Sequence, residues 1–319
     1  MTYRDAGVDL VGADRHVAAI ASTVTSTWTD NVVGGFGGFA AGVTIPPGYS
    51  NPILMMATDG VGTKLELARR SGLWEGVGYD LVAMCVDDLA AVGAQPLGFV
   101  DYMAVGSLQP ERDTAIVSSV ARACAEAGCS LLGGETAEHP GVMDIDAVDL
   151  AGAVMGVVER DARLSPDGVV AGDVVIGLRS PNLRSNGFSL VRRVMGETPD
   201  YDTLLQPSVI YSPAVLEVAP MVKAAAHITG GGLPGNLPRA VPPSLGVEVD
   251  TATWQPPEIF AALSAHGIDE AEMFATFNMG IGFCLIVDPS AAAEVTNTLS
   301  RHEATVIGQV TPGNSFTLK

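Results

Sequence analysis

Residues 53–57, Ile-Leu-Met-Met-Ala, run without a break into Thr58-Asp59-Gly60-Val61-Gly62-Thr63-Lys64, and no other stretch limits the possible folds of this chain so sharply. Five apolar residues bounded by turn formers read as a short buried strand. The glycines after Asp59 let the chain turn with its N–H groups directed at an anion. The same grammar recurs. Residues 97–104, 129–132 and 148–158 read as further strands, with helices expected over 78–92 and 110–127, and glycine stands at nearly every exit. After a break at Leu164-Ser165-Pro166-Asp167-Gly168, a strand over 173–178 opens a second series. It continues with a short helix after Asn186-Gly187, a longer helix over 212–226, a strand over 283–287, a helix over 291–299 and a strand over 305–310. Strands and helices interleave in both halves, which predicts an α/β or α+β sandwich and not an all-helical second domain. Its 319 residues exceed the roughly 250–300 that one core usually serves, so two domains are expected, 1–168 and 169–319.

Composition removes several function classes. Hydrophobic residues make up 47%, enough for sizeable cores, but no apolar run has the length of a membrane helix. Lys plus Arg number 17 against 36 Asp plus Glu, a formal charge of -19. A long polyanion needs an extended basic footprint, so nucleic acid is a poor partner, whereas a small phosphorylated ligand needs only local donors. Cys85, Cys124, Cys129 and Cys284 lack a zinc spacing and read as small buried side chains. No secretory signal is visible, and the compartment is read as cytoplasmic.

The polar residues fall into four groups. In the first, Asp59 suits Mg²⁺ through a hard oxygen and Lys64 suits a phosphate, with Gly60, Gly62 and Thr63 supplying the turn; the alternative for Asp59 is a cap on the following helical turn. The helix expected next sets Asp80, Met84 and Asp87 on one side and Asp88 on the adjoining side, so at least one carboxylate approaches the interior. Asp80 reads as a solvated or capping residue, and Asp88 is preferred to Asp87 as a ligand. The second group, Gly133-Gly134-Glu135-Thr136-Ala137-Glu138, leaves a strand at an accessible edge. Glu135 is a metal or catalytic candidate, either acid can receive a backbone cap, and His139 on the same loop is a candidate proton shuttle. The third is Gly34-Gly35-Phe36-Gly37-Gly38-Phe39, either a flap over a ligand or a glycine segment pinned by its rings; with no strand before it, it is not a dinucleotide fingerprint. The last group is Ser185-Asn186-Gly187 with Arg192, a cradle for a phosphate or a plain helix cap, together with His227 ahead of Ile228-Thr229-Gly230-Gly231-Gly232.

DAGVD at 5–9, GGFGGF at 34–39, TDGVGTK at 58–64, GGETAEHPG at 133–141, SNGFSLVR at 185–192, ITGGG at 228–232 and FNMGIG at 277–282 stand in the order found in phosphoribosylformylglycinamidine cyclo-ligases, the aminoimidazole ribonucleotide synthetases. The chain resembles that family from its first residues to its last strands. The resemblance implies a two-domain fold of that type: an N-terminal α+β domain for ATP binding and dimerisation, whose sheet forms a barrel-like interface across a homodimer, and a C-terminal α/β-rich sandwich. It also implies ATP-dependent closure of formylglycinamidine ribonucleotide to aminoimidazole ribonucleotide, with ADP and phosphate released. On that footing Asp59, Asp88 and Glu135 are expected to hold Mg²⁺ and Lys64 to contact phosphate. Lys64, Asp59, Glu135 and His139 are the expected catalytic set. Gly34, Gly35, Gly37, Gly38, Gly60, Gly62, Thr63, Ser185, Asn186 and Gly187 are expected to line the ligands.

Two positions depart from the family's pattern. Arg184 stands where histidine is common, and Asp87 where asparagine is common. A histidine that served as an obligatory acid–base group would not tolerate the first change, whereas a phosphate-binding or structural role would. The alternatives are a related ATP-dependent small-molecule kinase, which would release a phosphorylated product, and a non-catalytic ATP-binding protein.

Overall fold

A computed structural model describes residues 9–196 and 199–319, so the DAGVD run lies outside the described residues except for Asp9. The chain divides into two compact units. One holds the residues up to Leu89 with Gln95–Glu159 and Leu205–Ile210; the other holds Ala90–Ala94, Arg160–Leu204 and Tyr211–Lys319. The main crossing falls at Glu159 and Arg160, ahead of the break expected after Gly168. The exchanged short segments have no mark in the linear pattern.

The first unit contains β1 (Val32–Val33), β2 (Gly42–Val43), β3 (Pro52–Gly60), β4 (Gln95–Val105), β5 (Ser130–Glu138) and β6 (Val148–Glu159), with α1 (Leu10–Thr25), α2 (Lys64–Ser71), α3 (Val77–Ala90) and α4 (Pro110–Ala127). β1 and β2 pair as a small ribbon, and the others form one sheet in the order β3-β6-β4-β5. β6 is antiparallel to both neighbours, and β5 runs parallel to β4 after the α4 crossover. α4 has the predicted limits because Pro110 opens it where an N–H is dispensable and Gly128 closes it at φ 71°.

One face of the sheet carries Phe99 and Met103, both wholly buried. Full burial of such side chains contributes about 1.5–3 kcal/mol each. Helix α3 lies close against this face: a Cβ on Gly152 would come within 2.4 Å of the Phe99 ring and 3.2 Å of Leu81. The opposite face leaves Leu54, Met56, Val100 and Tyr102 exposed. The four strands end in two open edges, so the expected barrel is not closed within one chain.

The second unit contains β7 (Val174–Arg179), β8 (Val222–His227), β9 (Leu245–Val249), β10 (Ile281–Val287), β11 (Thr305–Pro312) and β12 (Phe316–Leu318). Around them are α5 (Phe188–Val194), α6 (Tyr201–Leu204), α7 (Ser212–Val218), α8 (Gly232–Asn236), α9 (Glu258–Ser264), α10 (Glu270–Thr276) and α11 (Ala292–Thr298). The sheet order is β12-β9-β11-β7-β10-β8, antiparallel except between β12 and β9. Every residue of β10 is buried.

The long helix expected over 212–226 does not form. α7 stops at Val218, Pro220 withholds the amide a helix would need, and Val222–His227 instead pairs with β10. Three alanines favour helix, but the ladder offered by β10 outweighs a few tenths of a kcal/mol of propensity.

Candidate functional site

In the first unit, strand register places Asp59, Gly152, Asp101 and Gly134 in one row across the sheet, and Gly60, Ala151, Tyr102 and Glu135 in the next. Adjacent rows point to opposite faces. Asp59 and Asp101 therefore share the helix-covered face, whereas Glu135 stands on the open one. Three strand spacings, about 14 Å, also separate β3 from β5. The three carboxylates expected to share one magnesium ion are thus not a single ligand set in one chain, and among the described residues no group of three or more His, Cys, Asp or Glu side chains is arranged to hold a metal.

Asp59 and Asp88 form the better pair. Both are exposed, and both charges act on the Cys85 thiol, which burial first and these carboxylates second push up. Asp59 Oδ1 accepts from the Gly60 N–H at 2.7 Å, while α2 has Thr63 at its N-cap, so Asp59 braces its own turn and does not cap the helix. Two carboxylates beside solvent are a partial ligand set of the kind Mg²⁺ takes from a protein. Asp87 is wholly buried.

Lys64 lies elsewhere than expected. It is 0% exposed, with Nζ 2.9 Å from Asp80 Oδ1, 2.7 Å from Asp80 Oδ2 and 2.8 Å from the Gln206 carbonyl. Asp80 Oδ1 also accepts from the Ser208 amide at 3.0 Å and its hydroxyl at 2.6 Å. Lys64 is thus an internal anchor for residues 205–210 and not a surface phosphate contact. Asp80, expected in solvent, is its wholly buried partner; burial pushes the carboxyl up while Lys64 pulls it down.

The glycine run borders a cavity of ≈ 620 Å³ on the same unit, where Gly35, Phe36, Gly37 and Gly38 face His16 and Asp101. Phe39 is fully exposed, so this ring pins nothing to the core. Gly133 and Gly134 form the cavity's floor beside Glu135; a Cβ on Gly134 would lie 2.2 Å from Asp101 Oδ1. Burial pushes the Asp101 carboxyl up to about 7. His16 is 6% exposed, its Nδ1 has no partner among the described residues, and burial lowers its affinity for a proton. Neither residue belongs to the four polar groups that stand out in the sequence. An aspartate within the apolar strand Gly98-Phe99-Val100-Asp101 was a legible signal for the first; nothing local marks the second.

GGETAE is not a loop but the continuation of β5 at the sheet edge. Glu138 is the backbone cap of the two acids, accepting from the Asp9 and Leu108 amides at 3.0 Å each. His139 follows the strand, and its Nε2 lies 3.1 Å from the Tyr102 hydroxyl on the open face.

In the second unit three sequence runs converge. Gly187, at φ 79°, sits where a Cβ would strike the Phe277 ring at 2.2 Å; a Cβ on Gly232, at φ 57°, would meet the Phe274 carbonyl at 2.0 Å. A Cβ on Gly230 would lie 3.9 Å from Asn186 Nδ2, so the Ser185–Gly187 and Thr229–Gly232 turns are neighbours. Asn236 Nδ2 steadies the second turn through the carbonyls of Thr229, Gly230 and Gly232 at 3.4, 3.2 and 2.9 Å. Ser185 is 7% exposed and its Oγ has no partner among the described residues. A buried hydroxyl without a bond costs about 1–3 kcal/mol, which a ligand oxygen would recover.

The family model described as AIR synthase related protein, N-terminal domain, matches residues 38–158, and its C-terminal counterpart matches 170–319. A phosphoribosylformylglycinamidine cyclo-ligase of Prochlorococcus marinus is 43% identical over 329 residues, covering 97% of this chain and 95% of its own. One from Geobacillus kaustophilus is 43% identical over 331 residues, covering 98% and 96%. Among solved structures, thiamine-monophosphate kinase from Stenotrophomonas maltophilia superposes with a TM-score of 0.71 at 18% identity, over 94% of this chain and 96% of that one. Hydrogenase maturation protein HypE in complex with ATP gives 0.68 at 17%, over 98% and 92%. At such identities the last two establish a common fold.

Proposed function

This chain belongs to the phosphoribosylformylglycinamidine cyclo-ligase family, the AIR synthases, and from that membership we propose that it uses ATP to close formylglycinamidine ribonucleotide to aminoimidazole ribonucleotide in purine biosynthesis. The observation that carries this reading is 43% identity over 97% of the chain, with both domain models matched in order.

The formyl oxygen of the substrate is a poor leaving group. Transfer of the γ-phosphoryl group of ATP to that oxygen, with loss of the proton on the adjoining amide nitrogen, gives ADP and an iminophosphate. Attack by the neighbouring nitrogen on the activated carbon then closes the ring, and phosphate and a proton leave. No protein nucleophile is needed. Holding nitrogen and carbon together can supply about 7–11 kcal/mol in favourable systems.

Asp59 and Asp88 are the residues that would hold Mg²⁺, which supplies charge neutralisation at the triphosphate. The sequence pattern suggests that the turn after Asp59 offers its amides to an anion, but the Gly60 N–H donates to Asp59 Oδ1 at 2.7 Å and the Val61 N–H to the Leu150 carbonyl at 3.1 Å, so these two amides hold the turn itself. The glycine run Gly35–Gly38 bounds the nucleotide pocket, whose walls combine the apolar Val17, Ile20 and Val24 with the polar groups of His16 and Asp101, while Gly34 stands outside the lining. Asp101, poised near neutrality, is suited to hold or release a proton in that cavity. Ser185, Asn186 and Gly187 with the Thr229–Gly232 turn form the cradle for the substrate phosphate.

A second copy of the chain would cover Leu54, Met56, Val100 and Tyr102, pairing two open sheets into the barrel-like homodimer; Glu135 and His139 would then lie at its margin. Four free buried cysteines suit a reducing cytoplasm, and no described helix is long and apolar enough to cross a membrane.

The test is product analysis by mass spectrometry after mixing the protein with Mg²⁺, ATP and formylglycinamidine ribonucleotide, with each component omitted in turn. Aminoimidazole ribonucleotide with ADP and phosphate is expected. A stable phosphorylated product without ring closure would refute it.

A further inference from the structure

The turn before Ser185 is set by an unusual residue. Arg184 is 1% exposed and has φ 58°, a left-handed backbone that arginine seldom adopts. Its amide donates to Asn182 Oδ1 at 2.9 Å, and the Asn182 carbonyl accepts from Ser180 Oγ at 2.8 Å and Asn278 Nδ2 at 3.0 Å, so the surrounding loop holds it there. The guanidinium turns inward. Its Nη1 lies 2.6 Å from His227 Nε2 and 3.3 Å from the Gly282 carbonyl, and its Cζ sits 5.0 Å from the centre of the Tyr211 ring.

A guanidinium carries donors only, so a contact this short requires Nε2 of His227 to accept. The imidazole is therefore neutral with its proton on Nδ1. Stacking on Phe283, at 5.9 Å and 25° between planes, fixes the ring's orientation. His227 ends β8, and the Thr229–Gly232 turn starts two residues on, against Asn186 of the other turn. Arg184 thus joins, through its hydrogen bond to His227, the two turns proposed to receive the substrate phosphate.

We propose that Arg184 is a positioning residue: by donating to Nε2 it fixes the Nδ1–H tautomer of His227 and sets the spacing of the Ser185–Gly187 and Thr229–Gly232 turns as one anion cradle. The tautomer rests on geometry alone; the cradle rests on the function proposed above.

The two parts are separable by experiment. Nitrogen-15 histidine spectra of the intact protein, with His227 assigned through His227→Gln, should show Nε2 unprotonated and Nδ1 protonated. A proton on Nε2 in the unaltered protein overturns the proposal. In Arg184→Gln both tautomers should appear, and KM for formylglycinamidine ribonucleotide should rise about tenfold, equivalent to about 1.4 kcal/mol, while KM for ATP stays unchanged. Arg184→Lys, which keeps a donor and the charge, should restore part of the loss and serves if the glutamine variant does not fold. Equal changes in both KM values, or none, overturn the cradle. If the unaltered protein does not turn over this substrate, calorimetric binding of ribose 5-phosphate replaces KM: weaker binding in the variants upholds the cradle, and equal binding overturns it.

Discussion

Lys64→Met removes a buried ammonium while keeping most of the side chain's length and volume, so its cost is chiefly electrostatic. The lysine Nζ lies 2.7 Å from Asp80 Oδ2, with both side chains out of solvent, and 2.8 Å from the Gln206 carbonyl. At an effective dielectric of about 20 the gross attraction at that distance is about 6 kcal/mol. Desolvation offsets most of it in the intact pair, but removing one partner strands the other, and such losses run to about 3–5 kcal/mol. With a urea slope of about 2 kcal/mol/M, the unfolding midpoint should fall by about 2 M. Urea unfolding can be followed through Trp74, which is 8% exposed in the same unit. Adding Asp80→Asn should recover part of the loss, because an amide no longer needs a counter-charge and can still accept from Ser208. ATP affinity of the folded single variant should match the parent. A variant of native stability that binds ATP more weakly would refute the anchor role and return Lys64 to the phosphate.

Asp59→Asn, which keeps an Oδ1 acceptor for the Gly60 N–H, and Asp88→Asn should each raise the Mg²⁺ concentration for half-maximal ATP-dependent turnover about tenfold or more, with little change in stability because both side chains are exposed; magnesium titration of the activity checks this. Gly232→Ala should destabilise by about 1–3 kcal/mol or more, since φ 57° and a carbonyl 2.0 Å from the new Cβ both oppose it, and a thermal melt reads the loss. Glu66 is held down to about 2, first by its hydrogen bond from Arg69, with Arg70 adding to the effect. A depressed carboxylate stabilises the fold above its ordinary range, and that contribution fades as pH falls from 4.5 through about 2. Glu66→Gln should flatten this part of the acid-unfolding curve.

Local patterns determined the elements whose signals are local. The Pro110 opening and Gly128 stop gave α4 both ends, and the run 53–57 gave the centre of β3, because a proline, a glycine φ and a short apolar stretch act through their own neighbours. The order of the glycine runs was enough to mark the family. Tertiary structure decided the rest. β8 took residues that local propensity assigns to a helix, because β10 offered them a ladder. Lys64 and Glu135 carry the right chemistry for a triphosphate site, but one is consumed by Asp80 and the other points to the opposite face from Asp59. Which face a strand residue takes depends on register with strands far away in the chain. Whether a charge meets water or a partner depends on the packing of elements that no short window contains.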